Sequence, residues 1–200
     1  KDFDYIFMRK DPPVNVDYMN ALHILSQAEF EGANILNRPS ALMKFNEKIF
    51  ALQFSDWMPD TSVICKEDDF KLFKEKYSDV ILKPLNGMGG DSIYKFDKTS
   101  EDHLKIFKEL TNNYKTMVMV QNFLPEIYDG DYRILIINGE PFPIGLARIP
   151  QKGSFKGNLA AGGRGEAREL SADQIQASKE IGKILIQEGI LFAGIDMIGS

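Results

Sequence analysis

The stretch that most constrains this chain is Asp79-Val80-Ile81-Leu82-Lys83-Pro84-Leu85-Asn86-Gly87-Met88-Gly89-Gly90-Asp91-Ser92-Ile93-Tyr94. A short apolar run carries one lysine, opens into a loop holding Gly87, Gly89 and Gly90, and resumes alternation through Ser92-Ile93-Tyr94-Lys95-Phe96. Glycines let backbone N–H groups converge on an anion, because no Cβ blocks the approach. A phosphate loop of the G-x-x-x-x-G-K-[ST] kind is excluded: no Lys-Ser/Thr follows the glycines, and the next segment reads as a strand rather than a helix. What remains is strand, glycine flap, strand, with Lys83 placed before the flap. One reading is a hairpin with a generous turn and a surface lysine, the other a phosphate site. Lys83 interrupts Val80-Ile81-Leu82, where a charge needs a partner or a way out to solvent, and this favours the phosphate site.

Two hundred residues suffice for one good core, or for one domain and part of another. No run approaches a membrane span, and the N-terminus lacks a basic-then-apolar signal pattern. The single Cys65 excludes an internal disulfide and, with only His23 and His103 beside it, leaves too few ligands for a Cys/His zinc site. A reducing cytoplasm fits. A net charge of −5 argues against a nucleic-acid partner and makes local clusters of arginine more informative. Both ends look cut: Lys1-Asp2-Phe3-Asp4-Tyr5-Ile6-Phe7-Met8 reads as a strand already under way, and Gly199-Ser200 follows directly on another strand.

Along the chain, Asp11-Pro12-Pro13 ends the first strand. Residues 17–31 carry Met19, Leu22, Leu25 and Ala28 at helical spacing. A brief strand at 33–37 follows, and Ser40 is expected to cap a helix with Leu42, Phe45, Ile49 and Leu52 on one stripe. This β-α-β opening looks like the tail of an α/β domain. Lys48, inside that helix, reads from the residues alone as a solvated helix lysine. Thr61-Ser62-Val63-Ile64 reads as a strand and residues 66–78 as an amphipathic helix through Phe70, Phe73 and Tyr77. A helix at 101–113 and a central strand at Met117-Val118-Met119-Val120-Gln121 follow. That strand leaves through Asn122-Phe123-Leu124-Pro125, either presenting backbone amides to a planar ligand or simply ending.

Asn138-Gly139 between strand-like runs is the strongest short hairpin signal. With a two-residue turn Ile137 faces Glu140, Arg133 faces Ile144, and Arg148 shares that face about 13 Å further along. Pro141 and Pro143 imply an edge strand, and a bulge would break the parity. Two arginines on one face of an acidic protein suggest anionic ligands. Residues 150–168 hold Gly153, Gly157, Gly162, Gly163 and Gly165 with Lys152, Lys156, Arg164 and Arg168. They read as a long mobile loop, either a lid over anions or a surface insertion. Ser171 opens a helix to about Glu188, and Ile190 to Ile198 is an apolar strand carrying a lone Asp196. Such a carboxylate is costly unless paired, protonated or on a metal; Mg²⁺ and a buried salt bridge are both open.

Together these pieces resemble the ATP-grasp superfamily and, within it, the prokaryotic-type glutathione synthetases. The matching stretches are Met8-Arg9-Lys10-Asp11-Pro12-Pro13, Phe45-Asn46-Glu47-Lys48, the Ile81–Gly90 flap, Asp129-Gly130-Asp131-Tyr132-Arg133, Ala147-Arg148-Ile149-Pro150-Gln151, the highly specific run 157–166, and Gly194-Ile195-Asp196-Met197-Ile198-Gly199. The resemblance implies an α+β (α/β) chain: an ATP-grasp fold preceded by the tail of a Rossmann-like domain. The expected domains are 1–45 and 46–200, the latter with a small lid subdomain at about 60–120 and a larger one at 121–200 lacking its C-terminal end.

It further implies a ligase joining L-γ-glutamyl-L-cysteine to glycine through an acyl phosphate, with ATP going to ADP and phosphate. Lys48, Lys83 and the flap residues Asn86, Gly87, Met88, Gly89 and Gly90 would serve the phosphates. Gln121, Asn122, Phe123 and Leu124 would serve adenine, and Asp131 the ribose. Arg133, Arg148 and Arg164 match catalytic positions; Arg9, with Arg148 and Arg164, matches dipeptide-binding ones. Asp196 matches the first acid of a magnesium set (manganese is also possible), whose remaining Glu and Asn would lie past residue 200. Lys156 stands where the family commonly has arginine. A cytoplasmic homo-oligomer, tetrameric in the family, is implied. Another ATP-grasp ligase, of the D-alanine–D-alanine or glutamate-adding type, would use the same nucleotide residues. A nucleotide-binding module without turnover is the alternative from another class.

Overall fold

The computed structural model describes residues 3–10, 13–87 and 92–199. In chain order it gives β1 (Ile6–Phe7), α1 (Val16–Phe30), β2 (Ile35–Leu36), α2 (Pro39–Lys44) and α3 (Glu47–Ala51), then a 3-10 segment at Leu52–Trp57. β3 (Thr61–Ile64), α4 (Glu67–Lys76), β4 (Val80–Pro84), β5 (Tyr94–Phe96), α5 (His103–Leu110) and β6 (Val118–Asn122) follow. The remainder is β7 (Asp131–Ile137), β8 (Glu140–Pro141), β9 (Ile144–Ile149), β10 (Arg164–Glu169), α6 (Ala172–Gln187) and β11 (Phe192–Ile198). Contacts divide the chain into two compact units: Lys1–Asn46 with Glu126–Ser200, and Glu47–Pro125.

In the first unit β1 and β2 pair in parallel across α1, the β-α-β opening that the sequence suggests, although the first strand is only two residues long. Asn15 caps α1 by accepting from the Tyr18 amide. The expected helix over residues 40–52 is not continuous. It begins earlier, with Pro39 in the first turn after Arg38 at ψ 127°, because a proline has no N–H to lose there and keeps its predecessor out of the α region. Ser40 therefore lies inside α2 and is not its cap. Phe45 is extended at φ −100° and ψ 104°, so Phe45 and Asn46 break the stripe before α3.

Asn37, held at φ 62°, ties this opening to the far end of the unit. Its Nδ2 donates to Phe192 O, and its Oδ1 accepts from the Leu191 and Phe192 amides. The large sheet runs β10-β9-β7-β11, with β8 paired to β7. Ile134, Ile136 and Ala147 on one of its faces are buried. Helix α6 starts on a capping box between Ser171 and Gln174 and brings Gly182 against the hairpin turn, where a Cβ would sit 2.0 Å from Gly139 O. Asn138 and Gly139 both have positive φ, the mark of a type I′ turn.

In the second unit four antiparallel strands run β3-β6-β4-β5, with β6 central as its apolar run requires. Ile64, Val80, Leu82, Phe96, Val118 and Val120 form one core with Phe70 of α4 and Phe107 of α5. The Phe70 and Phe107 rings stack at 4.5 Å. With the even-numbered strand residues turned to the helices, alternation sends Thr61, Ile81, Lys83, Lys95, Met119 and Gln121 to the other face.

Candidate functional site

In the second unit the strand, flap, strand order holds: β4 leads through Leu85 and Asn86 to Gly87, and β5 returns antiparallel to β4. Met88, Gly89 and Gly90 lie outside the described residues. Lys83 sits opposite Met119 on the face turned away from α4 and α5, the last β4 side chain on that face before the flap. Lys48 departs from its residue-level reading. Its side chain is only 13% exposed, and its Nζ donates to Gly87 O at 2.8 Å, Leu85 O at 3.2 Å and Glu47 Oε1 at 2.7 Å. The acceptors are flap carbonyls 37 and 39 residues downstream, which no local pattern announces.

The strand exit is partly engaged by the fold. The Asn122 amide donates to Asp60 O and the Phe123 amide to Asp79 O, each at 3.0 Å. Leu124 carries the next amide along, one that these two carbonyls do not take. Gln121 turns its Nε2 to Thr61 Oγ1 at 2.8 Å, which fixes its side chain along the edge of that face. Lys95, which the sequence reading passed over, places its Nζ 3.8 Å from the centre of the Phe123 ring. The alternation of Ser92 to Phe96, carried across a hairpin with Val80 opposite Phe96, could have located it.

In the first unit Asp131, Arg133, Arg148 and Asp196 converge on the outer face of the large sheet. The hairpin pairs Ile137 with Glu140, as expected, but Arg133 with Leu146 instead of Ile144. The cause is a two-residue slip after Phe142, whose amide still bonds Leu135 O in the register of the turn; Pro143, next along, has no N–H for the ladder, and by Leu146 the pairing has shifted. An even slip keeps the parity, so Arg133 and Arg148 do share a face. It also brings them closer than the expected 13 Å, since Arg148 now lies opposite Asp131, two residues from Arg133.

Neither arginine is an open anion site. Arg148, 6% exposed, holds Asp131 through Nε at 2.8 Å and Nη2 at 2.7 Å, and its Nη2 lies 2.9 Å from Asp196 Oδ2. Arg133 donates to Asp196 through Nε and, at 2.9 Å, through Nη2. Carboxylates thus stand between two guanidiniums that would otherwise repel. Asp196 pairs across the strands with Arg133, so the salt-bridge alternative accounts for its place in an apolar strand.

The two acids titrate in opposite senses. Burial raises the Asp131 carboxyl above the ordinary aspartate value, and the Arg148 hydrogen bonds and charge only partly offset this. Burial also opposes ionisation at Asp196, but the Arg133 hydrogen bond and the charges of Arg133 and Arg148 outweigh it and hold that carboxyl below the ordinary value.

The 150–168 segment is more built than its composition suggests. Residues from Arg164 onward form β10 against β9, so the loop is limited to 150–163. Gly157 is buried where a Cβ would lie 2.5 Å from Arg148 O and 2.9 Å from Asp131 Oδ1, and Gly163 stacks on Gly157 O. These glycines serve close backbone approach, which presses the loop onto the Asp131–Arg148 pair.

Arg164 is not brought into the cluster. It pairs with Ile149, on the opposite side of the sheet from Arg148, and its Nη2 meets Glu166 at 2.6 Å with the side chain 73% exposed. Arg9 is exposed, with its guanidinium 5.4 Å over the Phe192 ring. Lys156 has its amide on Ser154 Oγ in the loop.

Against known proteins, a family model described as "Prokaryotic glutathione synthetase, ATP-grasp domain" matches residues 47–200. A second, "Prokaryotic glutathione synthetase, N-terminal domain", matches residues 1–43. The glutathione synthetase of Escherichia coli (strain K12) is 47% identical over 199 residues, covering 99% of this chain and 63% of the relative. The chain therefore spans under two thirds of the length of such relatives. Among solved structures, D-cycloserine synthetase DcsG superposes with a TM-score of 0.69 at 13% identity, over 97% of this chain and 70% of that one. ATP-grasp ligase PsnB, complexed with minimal precursor, Mg and ADP, does so with a TM-score of 0.62 at 17% identity, over 92% and 55%. At such identities these structures speak for the fold alone, and the fold is ATP-grasp.

Proposed function

The chain belongs to the prokaryotic glutathione synthetase family, and from that premise we propose that it acts in an ATP-dependent ligase joining L-γ-glutamyl-L-cysteine to glycine, with release of ADP and phosphate. The observation that carries this reading is 47% identity over a matched span of 99% of the chain, a span that takes in the positions of the flap and of the acid–arginine cluster.

In this reading Lys48, Lys83 and the flap from Asn86 through Gly90 surround the phosphates. Leu124 offers its amide to the adenine edge beside Gln121, Asn122 and Phe123. Asp131 serves the ribose, and Arg133 and Arg148 compensate charge on the phosphates and on the dipeptide carboxylate. Arg9 and Arg164 complete dipeptide binding.

The chemistry asks for positioning and charge compensation more than for a protein nucleophile. A carboxylate oxygen of the dipeptide's cysteinyl residue attacks the γ-phosphorus, and ADP leaves. The glycine amine then attacks the acyl carbon, an amide forms, and phosphate departs. Water must be kept from the acyl phosphate, and this reading gives that part to the 150–163 loop, whose Gly157 lies against Arg148 O. Cys65, half-buried past the end of β3, takes no part.

Among the described residues no three His, Cys, Asp or Glu side chains come together as a metal site. Magnesium at nucleotide sites commonly takes one or two carboxylates together with phosphate oxygens. Asp196 fits that chemistry as the one member of the expected ligand set that falls within residues 1–200, provided it gives up one of the guanidiniums that hold it. Bound there, Mg²⁺ or Mn²⁺ would neutralise phosphate charge. No helix among the described residues is long and apolar enough to cross a membrane. A cytoplasmic homo-oligomer completes the proposal.

The test is phosphate release by the full-length enzyme with ATP and γ-glutamylcysteine, glycine, or both. Release that needs both, with glutathione as the product, supports the reading. Equal release with D-alanine in place of the pair would move the chain to another ATP-grasp ligase. ADP binding without release under any pairing would make it a nucleotide-binding module.

A further inference from the structure

Lys83 precedes the flap, and Lys95 follows it on the returning strand. Both lie on the face of the four-stranded sheet turned away from α4 and α5: Lys95 pairs with Ile81, which pairs on its other side with Gln121, and Lys83 is two residues further along β4. Lys95 does not reach away to solvent. Its Nζ stands 3.8 Å from the centre of the Phe123 ring, well within the range of a cation–π contact, and Phe123 is 8% exposed. A cation over a buried ring is held more firmly than one over an exposed ring, because less water competes for it. Phe123 in turn is fixed by its own amide on Asp79 O, at the residue just before β4. The next amide along the chain is that of Leu124, the one that the proposed function gives to the base.

We propose that Lys95 is a nucleotide-positioning residue: by seating its ammonium on the Phe123 ring, it ties the strand after the flap to the strand exit that presents Leu124. The flap cradles phosphates and the exit takes the base, so this one contact sets the distance between the two ends of a bound nucleoside di- or triphosphate. Lys95 acts through Phe123. It is a positioning residue, separate from the phosphate lysines Lys48 and Lys83. The inference rests on the nucleotide reading above, but not on the identity of the two acceptor substrates.

The experiment compares Lys95→Met, Lys95→Gln, Lys95→Arg and Phe123→Leu in the full-length enzyme. It measures ADP affinity by calorimetry without other substrates, KM for ATP and for glycine, kcat, and Tm as a control for folding. Lys95→Met and Lys95→Gln should weaken ADP binding and raise KM for ATP on the order of tenfold. KM for glycine and kcat should stay within about twofold, and Tm should change little. Arginine, also a cation able to lie on the ring, should restore ADP affinity to within about twofold. The Lys95→Met, Phe123→Leu double variant should bind ADP no more weakly than either single one, because both changes remove the same contact.

Unaltered ADP affinity in folded Lys95→Met or Lys95→Gln protein overturns the proposal. So does failure of the arginine variant to rescue, or a rise in both KM values together. A wild type that binds ADP but makes no glutathione overturns the choice of substrates and leaves Lys95 to be judged on ADP affinity. A wild type that binds no ADP overturns both.

Discussion

At the residue scale the acids and arginines of the large sheet make their own predictions. Asp196 has a folded pKa below the ordinary 3.8, so its stabilising contribution is present above that value and lost as pH falls through the folded one. Asp131 has a folded pKa above 3.8, so its ionisation opposes folding, and its contribution is lost as pH rises through the folded value. In urea denaturation Asp196→Asn should therefore be less stable than wild type at neutral pH, with the deficit shrinking below about pH 3.8. Asp131→Asn should move the other way, gaining relative to wild type as pH rises from 3 to 7. Parallel pH trends in the two variants would show that the acids are not differently placed.

Lys83→Ala should cut turnover by roughly 10²–10³, the usual scale for one preorganised charge partner, with Tm nearly unchanged; near-normal turnover would remove Lys83 from the phosphate site. Lys83, Arg133, Arg148 and Asp196 were all legible as chemistry-bearing residues, because each puts charge in an apolar or alternating context. Their partners were not legible. The Arg148–Asp131 bridge depends on a hairpin slip, the Arg133–Asp196 bridge on the pairing of β7 with β11, and Lys48 on carbonyls far down the chain.

At the element scale local signals served well where one signal dominates. The Asn-Gly turn, the apolar run of β6, the amphipathic α4 and the Ser171 cap all form where the sequence puts them. They served poorly where two signals compete. Over residues 40–52 the apolar stripe favours one helix, but Phe45 and Asn46 break it. In 150–168 glycine content masks a strand, because β10 takes its order from the β9 ladder and its own residues lack apolar alternation.

This shortened loop changes what proteolysis should find. Trypsin should cut first after the exposed Lys152 and then after Lys156, while the bond after Arg164 is shielded by pairing with β9. ATP and γ-glutamylcysteine together should slow the cuts at Lys152 and Lys156. First cleavage after Arg164, or rates indifferent to ligands, would speak against both the strand and the lid.

For the molecule as a whole, sequence patterning reaches the fold class and the family because the flap, the run 157–166 and the Asp196 strand lie on separate elements of one ATP-grasp fold. The grouping of Lys1–Asn46 with Glu126–Ser200 was less accessible, since it relies on Asn37 and Arg38 bonding to residues near position 190. The central claim is chemical: an acyl phosphate forms between the dipeptide carboxylate and the γ-phosphate of ATP. Its most direct test gives the full-length enzyme γ-glutamylcysteine with both oxygens of the cysteinyl carboxylate ¹⁸O-labelled, together with ATP and glycine, and weighs the released phosphate by mass spectrometry. One labelled oxygen per phosphate, matched by glutathione that has lost one, is the predicted result. Unlabelled phosphate would mean that ATP is cleaved without activating the carboxylate, and would contradict the account.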